Sequence, residues 1–194
     1  MANSPRTDTR SRVLDAALQL FSEHGFEGSS LQQIADRLGV TKAALYYHFR
    51  SKDDLLQALV APALADLDDI LNAHERVHDT PARRREFMGD YVDYLLCHRQ
   101  LIAYISRDLA TLAHPAIADG NRARRARVEA LLIGAGLEFD DQIRVAIAFG
   151  GIQAAIAQYP DVEESQLREA LCSAAATLLR PRRRSPHATP LPAT

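Results

Sequence analysis

Tryptophan is absent from this chain of 194 residues, aromatics make up only 6% of it, and there are just two cysteines. A composition poor in aromatics, rich in Ala and Leu and 47% hydrophobic favours helices over sheets. Cys97 and Cys172 are too far apart to form a metal-ligand pair and allow at most one disulfide, so free, buried thiols in a reducing compartment are expected. No apolar run is long enough to span a bilayer and no signal-peptide pattern opens the chain, which points to a soluble, cytoplasmic protein. A Gly-rich phosphate loop, HExxH and GxSxG are all missing, so nothing supports an enzyme, and no cofactor or metal is called for. No strand candidate and no internal repeat are present.

Net charge is nearly absent too, at −2, but it is unevenly divided. Residues 1–52 carry seven Lys/Arg against five Asp/Glu, residues 53–179 carry twelve against twenty, and the tail 180–194 carries four Arg and no acid. A basic front on an acidic body suggests a polyanion met at the front end.

What is present is a series of helix signals. After a polar arm, residues 1–7, Asp8 or Thr9 can cap a helix ending at His24-Gly25. Ser30-Leu31-Gln32-Gln33 is a capping-box pattern, and Gly39 closes the short helix it opens. Thr41 caps a third helix, and Ser51-Lys52-Asp53-Asp54 caps a fourth, with acids facing its positive dipole end. The fourth is expected to reach about Ala73 and to kink at Pro62. Thr80-Pro81 starts a fifth helix, to about His98. The spacing predicts a sixth over 100–110, a seventh over 116–133 closed by Gly134 and Gly136, an eighth over 139–159 and a ninth ending at Pro181. An all-α protein of about nine helices follows, with residues 8–52 as a helix-turn-helix domain, 53–180 as a second domain and 181–194 as a flexible Pro/Arg tail.

Residues 8–60 resemble the DNA-binding domain of TetR-family transcriptional regulators. The resemblance rests on Phe21-Ser22-Glu23-His24-Gly25-Phe26, then Ser29-Ser30, Gln33-Ile34-Ala35, Leu38-Gly39-Val40, Ala44-Leu45-Tyr46-Tyr47-His48-Phe49 and Ser51-Lys52-Asp53-Asp54-Leu55-Leu56, in order and without gaps. It covers about a quarter of the chain. Ser stands at position 30 where the family usually has Thr, and Ala43-Ala44 where Gly often appears. The physical reading agrees: a helix entering a major groove needs a slim leading edge, here Thr41, Lys42, Ala43 and Ala44, with Leu45 and Phe49 on the core side. The resemblance implies that Lys42, Ala43, Ala44 and Tyr46 face bases, with Gln32 reaching one as well. Ser30, Thr41, Tyr47, His48 and Lys52 are placed for phosphates, which position without specifying. The bland alternatives are core aromatics for Tyr46 and Tyr47, a hydrogen bond within the fold for His48 and a solvated side chain for Lys52.

The resemblance further implies a homodimer on a palindromic double-stranded operator, released by a small effector. Small and apolar residues Gly150, Gly151, Ala154, Ala155, Leu167, Leu171, Ala174 and Leu178 would form the dimer bundle. Phe87, Met88, Tyr91, Tyr94, Leu95, Tyr104, Ile105, Phe149, Ile152 and Gln153 would line a largely apolar effector pocket. A ligand-responsive repressor is the leading reading. An activator, or a ligand-binding protein without an operator, stays open. Weaker signals are the histidine pair His74 and His78 at i, i+4, and the arginines at 83–85, 122–127 and 180–184, for which solvated surface is the simpler account.

Overall fold

In the computed structural model the described residues are 5–77, 80–133 and 139–179. Among them the fold is all helical: α1 (Pro5–His24), α2 (Leu31–Leu38), α3 (Lys42–His48), α4 (Lys52–Glu75), α5 (Pro81–Cys97), α6 (Arg99–Ile105), α7 (Leu109–Ala113), α8 (Pro115–Ile133), α9 (Phe139–Gln158) and α10 (Glu164–Leu178). The tail 181–194, Gly134, Gly136 and His78 lie outside the described residues. None of the described helices is long and apolar enough to cross a membrane.

The caps read from the sequence hold the helix starts. Side-chain oxygens of Ser30, Thr41, Ser51 and Thr80 accept from the backbone N–H groups of Gln33, Ala44, Asp54 and Arg83. Gly39 ends α2 with φ +66°, and the N–H of Val40 turns back to the Ala35 carbonyl at 3.0 Å. Nothing crowds the place a Cβ would take at Gly39, so the residue is glycine for its backbone conformation alone.

Two boundaries differ from expectation. Helix α1 starts at Pro5, a turn before Asp8, because proline at a first helical position needs no N–H partner and already has a helical φ. The stretch expected as one helix over 100–110 is two. Asp108 breaks it by turning its Oδ1 onto the N–H groups of Ala110 and Thr111, at 3.0 and 3.1 Å, so α6 ends at Ile105 and α7 begins afresh. Helix α4 runs through Pro62 to Glu75 as a single helix, with the proline on its exposed side.

Helices α1, α2 and α3 form a small head, with Val13, Ala17, Phe21, Ile34, Leu45 and Phe49 at its centre. Helix α4 leaves the head and packs on α5 and α8, while α5 packs on α10 and α9 lies against α6 and α10. The buried apolar core is continuous from head to body through Leu55, Leu56, Val60, Leu67 and Leu71 of α4. Part of the arginine cluster is a clamp on this helix. Arg124 grips Asp68 through two bonds of 3.0 and 2.6 Å, and Arg127 grips Glu75 through two of 2.7 and 2.8 Å. Arg122 and Arg125 stay on the exposed face.

The hydrogen bond from Arg124 holds the Asp68 carboxyl below its usual range, and that from Arg127 does the same for Glu75, each against a smaller opposing effect of burial. Both folded values therefore lie under the unfolded ones, at roughly 3.9 and 4.3. Their contribution is complete above those values and disappears as pH falls through the folded ones. Solvent screening limits the network to about 1 kcal/mol. Acidification is thus expected to lower the protection of α8 amides, relative to their intrinsic exchange rates at each pH, before the head core opens. Identical onset pH for α8 and the head would contradict the clamp.

Candidate nucleic-acid interface

Helix α3 is seven residues long, too short to persist alone. Leu45 and Phe49 bury one side of it against the head. This orients the opposite side outward: Thr41, Lys42, Ala43, Ala44, Tyr46 and Tyr47 are all exposed, Tyr47 at 71%. Exposed aromatics of this size do not serve the core, which removes the simple packing role for both tyrosines. Lys42 Nζ lies 5.6 Å from the centre of the Tyr46 ring, so the two side chains share one surface. The Tyr47 and His48 rings meet edge to face at 5.3 Å, with His48 half-buried.

Ser30 and Gln32 stand at the start of α2 on the exposed side. Ser30 Oγ accepts from the N–H of Gln33 and donates to its side-chain Oε1 at 2.9 Å. Gln32 Nε2 donates to Asp36 Oδ1 at 2.7 Å, so its amide runs along α2.

Lys52, expected to meet a phosphate, already has partners within its own chain. Its Nζ donates to the Phe26 carbonyl at 2.6 Å and sits 4.3 Å over the Phe26 ring, with Glu27 nearby at 3.8 Å. A carbonyl and a π-face hold the ammonium at the junction between the head loop and α4.

Two cations that the sequence reading passed over belong beside this edge. Arg10, with its guanidinium 5.3 Å over the Phe49 ring, and Arg50 line an open groove of about 590 Å³ together with Tyr47, His48 and Gln57. Their signal in the sequence was only charge: Arg50 sits between two motif residues, and Arg10 is one of several arginines on α1.

In the body, Phe87, Met88, Tyr91, Tyr94, Leu95, Tyr104 and Ile152 are buried, and Ile105, Phe149 and Gln153 partly so. The rings of Phe87, Tyr91 and Phe149 form a connected set, with Tyr91 6.0 Å from Phe87 and 5.3 Å from Phe149. Burial pushes the Tyr94 and Tyr104 phenols up to about 12 and raises Tyr91 further, so all three stay neutral donors at physiological pH. A cleft of about 800 Å³ lies elsewhere, between α1 and α6–α7, and takes only Tyr104 from this set.

Among the small-residue positions, Gly150, Gly151, Ala154, Ala174 and Leu178 are exposed and Ala155 is half-buried. Leu167 and Leu171 are not available: both are buried within the chain, where α10 packs on α5 and α9. Ile143 and Ile147, on the same helix as the glycines, are exposed in their place, Ile147 at 54%. Spacing of 143, 147, 150, 151 and 154 puts these residues on one face of α9. Outside the adjoining backbone of α9 and the glycines' own chain neighbours, nothing lies within 4 Å of a Cβ built at Gly150 or Gly151, so packing within the chain keeps neither of them small. Of the cysteines, both are free; Cys97 is exposed, contrary to expectation, and burial pushes the Cys172 thiol up. His74 gives its Nε2 to Asp90 at 2.8 Å.

A helix-turn-helix head with its second helix presented to solvent, joined to a larger helical body, defines a class of DNA-binding protein. Residues 13–59 match the model of the tetR family of bacterial regulatory proteins. The match covers the head and the start of α4, about a quarter of the chain. It is 37% identical over 102 residues to the HTH-type transcriptional regulator TtgR of Pseudomonas putida, covering 53% of this chain and 43% of TtgR. It is 46% identical over 52 residues to AcrR of Shigella flexneri, covering 27% of this chain and 24% of AcrR. The chain thus spans less than half the length of these curated relatives. The whole fold matches solved structures: AmtR of Mycobacterium smegmatis, with TM-score 0.69 and 26% identity over 95% of this chain and 92% of that one, and a TetR-family member from Streptomyces coelicolor, with TM-score 0.70 and 24% identity over 95% and 94%.

Proposed function

We propose that this chain is a sequence-specific DNA-binding transcriptional regulator, a cytoplasmic repressor that a small, largely apolar ligand releases from its operator. The observation that carries the reading is the exposed edge Thr41–Ala44 with Tyr46 and Tyr47, on a helix locked from behind by Leu45 and Phe49. Small side chains let the helix approach base edges, Lys42 and Tyr46 supply donors, and Ser30, His48, Arg10 and Arg50 flank them for phosphates. Relatives that are named transcriptional regulators match over this region.

A single head contacts too few bases for a specific site, so the reading includes a homodimer. The free face of α9, Ile143, Ile147, Gly150, Gly151 and Ala154, joined by Ala174 and Leu178 of α10, is the surface for it. The effector would enter among Phe87, Tyr91, Tyr94 and Phe149 and favour a state whose heads no longer match the operator spacing. Strong switching requires a preference of about 5 kcal/mol between the two states.

Salt titration of affinity for a duplex selected from a random-sequence pool tests this reading. A regulator loses affinity steeply with salt and prefers the selected duplex over its scrambled form. A flat response without preference would leave a ligand-binding protein that reads no operator. Lys42→Ala is expected to weaken binding by about 1–3 kcal/mol and relax preference at one base position, and Tyr46→Ala to weaken it with the dimer still folded. Footprints of both variants indistinguishable from the parent would show that another surface meets the DNA.

A further inference from the structure

We propose that Asp108 is the positioning residue through which the body sets the angle of the head, acting on the backbone of Phe26; this rests on the regulator reading above. The starting point is how α1 ends. Gly25 takes φ +74°, and its N–H returns to the Phe21 carbonyl at 2.8 Å. That single bond closes the helix and leaves the N–H of Phe26 without a partner in its own loop. The partner comes from 82 positions away: Asp108 Oδ2 accepts from Phe26 N at 2.8 Å.

The same carboxylate belongs to α7. Its other oxygen caps that helix at Ala110 and Thr111, and the Tyr104 hydroxyl donates to Oδ2 at 3.3 Å while also bonded to Thr111 Oγ1. Burial works against the Asp108 charge, but these donors outweigh it and hold the carboxyl below its usual range. A charged acceptor fixed to α7 therefore grips an amide of the head. The far end of α7 makes a second grip. His114 Nδ1 accepts from the N–H of Ala116 at 3.2 Å, which leaves Nε2 to donate to Asp53 at 3.1 Å, and its ring rests on Phe26 at 5.3 Å. Helix α7 is thus a five-residue clip with the head loop at one end and the start of α4 at the other.

Position makes the grip breakable. Asp108, Tyr104, Phe21 and Gly25 border the cleft of about 800 Å³ between α1 and α6–α7. The cleft gives the Asp108–Phe26 bond open space to one side, so a shift of α7 that carries its buried Thr111 along can open that bond. Because the cap and the grip share one carboxylate, α7 cannot move without changing one of them.

Coupling between two sites is reciprocal, so DNA can stand in for an effector not yet identified. The experiment is amide hydrogen exchange on the full chain, with and without a duplex selected from a random-sequence pool. It compares the parent with Asp108→Ser, which can still cap α7 but is too short to reach Phe26. In the free protein, Asp108→Ser is expected to speed exchange at Phe26 about tenfold, the loss of one charge-assisted bond. In the parent, duplex binding changes exchange over Tyr104–Ala113; in Asp108→Ser that change is lost, while the duplex still binds within about threefold. Tyr104→Phe, which keeps the carboxylate, retains the coupling and serves as the folded control. The same duplex-induced change in Asp108→Ser as in the parent overturns the proposal and leaves the regulator reading intact. Failure of the parent to select any duplex overturns the regulator reading, and the coupling role with it.

Discussion

Replacing Ile147 by Asp is expected to give a folded monomer that no longer holds a palindromic operator. The side chain is exposed in the single chain, so the substitution buries no charge there and leaves helix content and head unchanged. In a dimer it would put a carboxylate at the centre of an apolar face made of Ile143, Gly150, Gly151 and Ala154, and an unpaired buried charge is not tolerated. Glycines at 150 and 151 strengthen the case, since nothing outside the adjoining backbone of α9 and their own chain neighbours meets a Cβ built on either. Loss of the second head removes half the base contacts and the fixed half-site spacing. Operator affinity should fall by at least about 10³-fold, the lower end of the gap between specific and non-specific binding. Sedimentation reads the first effect and a titration of the selected duplex the second. A variant that stays dimeric would move the interface off this face of α9.

The other large effect is expected at Leu45. This side chain is 1% exposed and is the anchor that turns the seven-residue α3 outward. Leu45→Ala should cost about 2–5 kcal/mol, a large share of the roughly 5–15 kcal/mol that holds a domain. The loss falls on a helix with no stability of its own. The expected result is fast amide exchange in α3 and loss of DNA binding, with exchange in α5, α9 and α10 close to that of the parent. Slow exchange in α3 together with parental DNA affinity would show that the recognition helix is held by something else.

These two residues also show what the sequence conveys and where it stops. Leu45 and Phe49 were legible as core because they lie four apart on a helix with a marked cap and a marked end, and local signals of that kind act within a few residues. Ile147 was legible as apolar, but an apolar residue on α9 can face its own chain or a copy, and the pattern is the same for both. The stripe on α10 shows the ambiguity resolved the other way: Leu167 and Leu171 read as interface and are packed inside the chain. Lys52 is a related case. A lysine at a helix start next to a reading head suits a phosphate, and only the approach of Phe26 from another loop shows that its ammonium is engaged. The break between α6 and α7 had no glycine or proline to announce it. It is made by Asp108, whose carboxylate is held by Phe26 from the head, a contact that no local pattern records. The aromatic set around Tyr91 lies between these cases: it was read as an effector pocket and is largely buried, and core aromatics and pocket aromatics have the same spacing.

The measurement that bears most directly on the central claim is a footprint of the purified protein on the DNA flanking its own gene. The account predicts a protected, two-fold symmetric site with half-sites centred one helical turn apart, roughly 34–36 Å, which disappears with rising salt and shrinks or shifts its base preference in Lys42→Ala. Uniform protection of any DNA offered, or none at low salt, would contradict it.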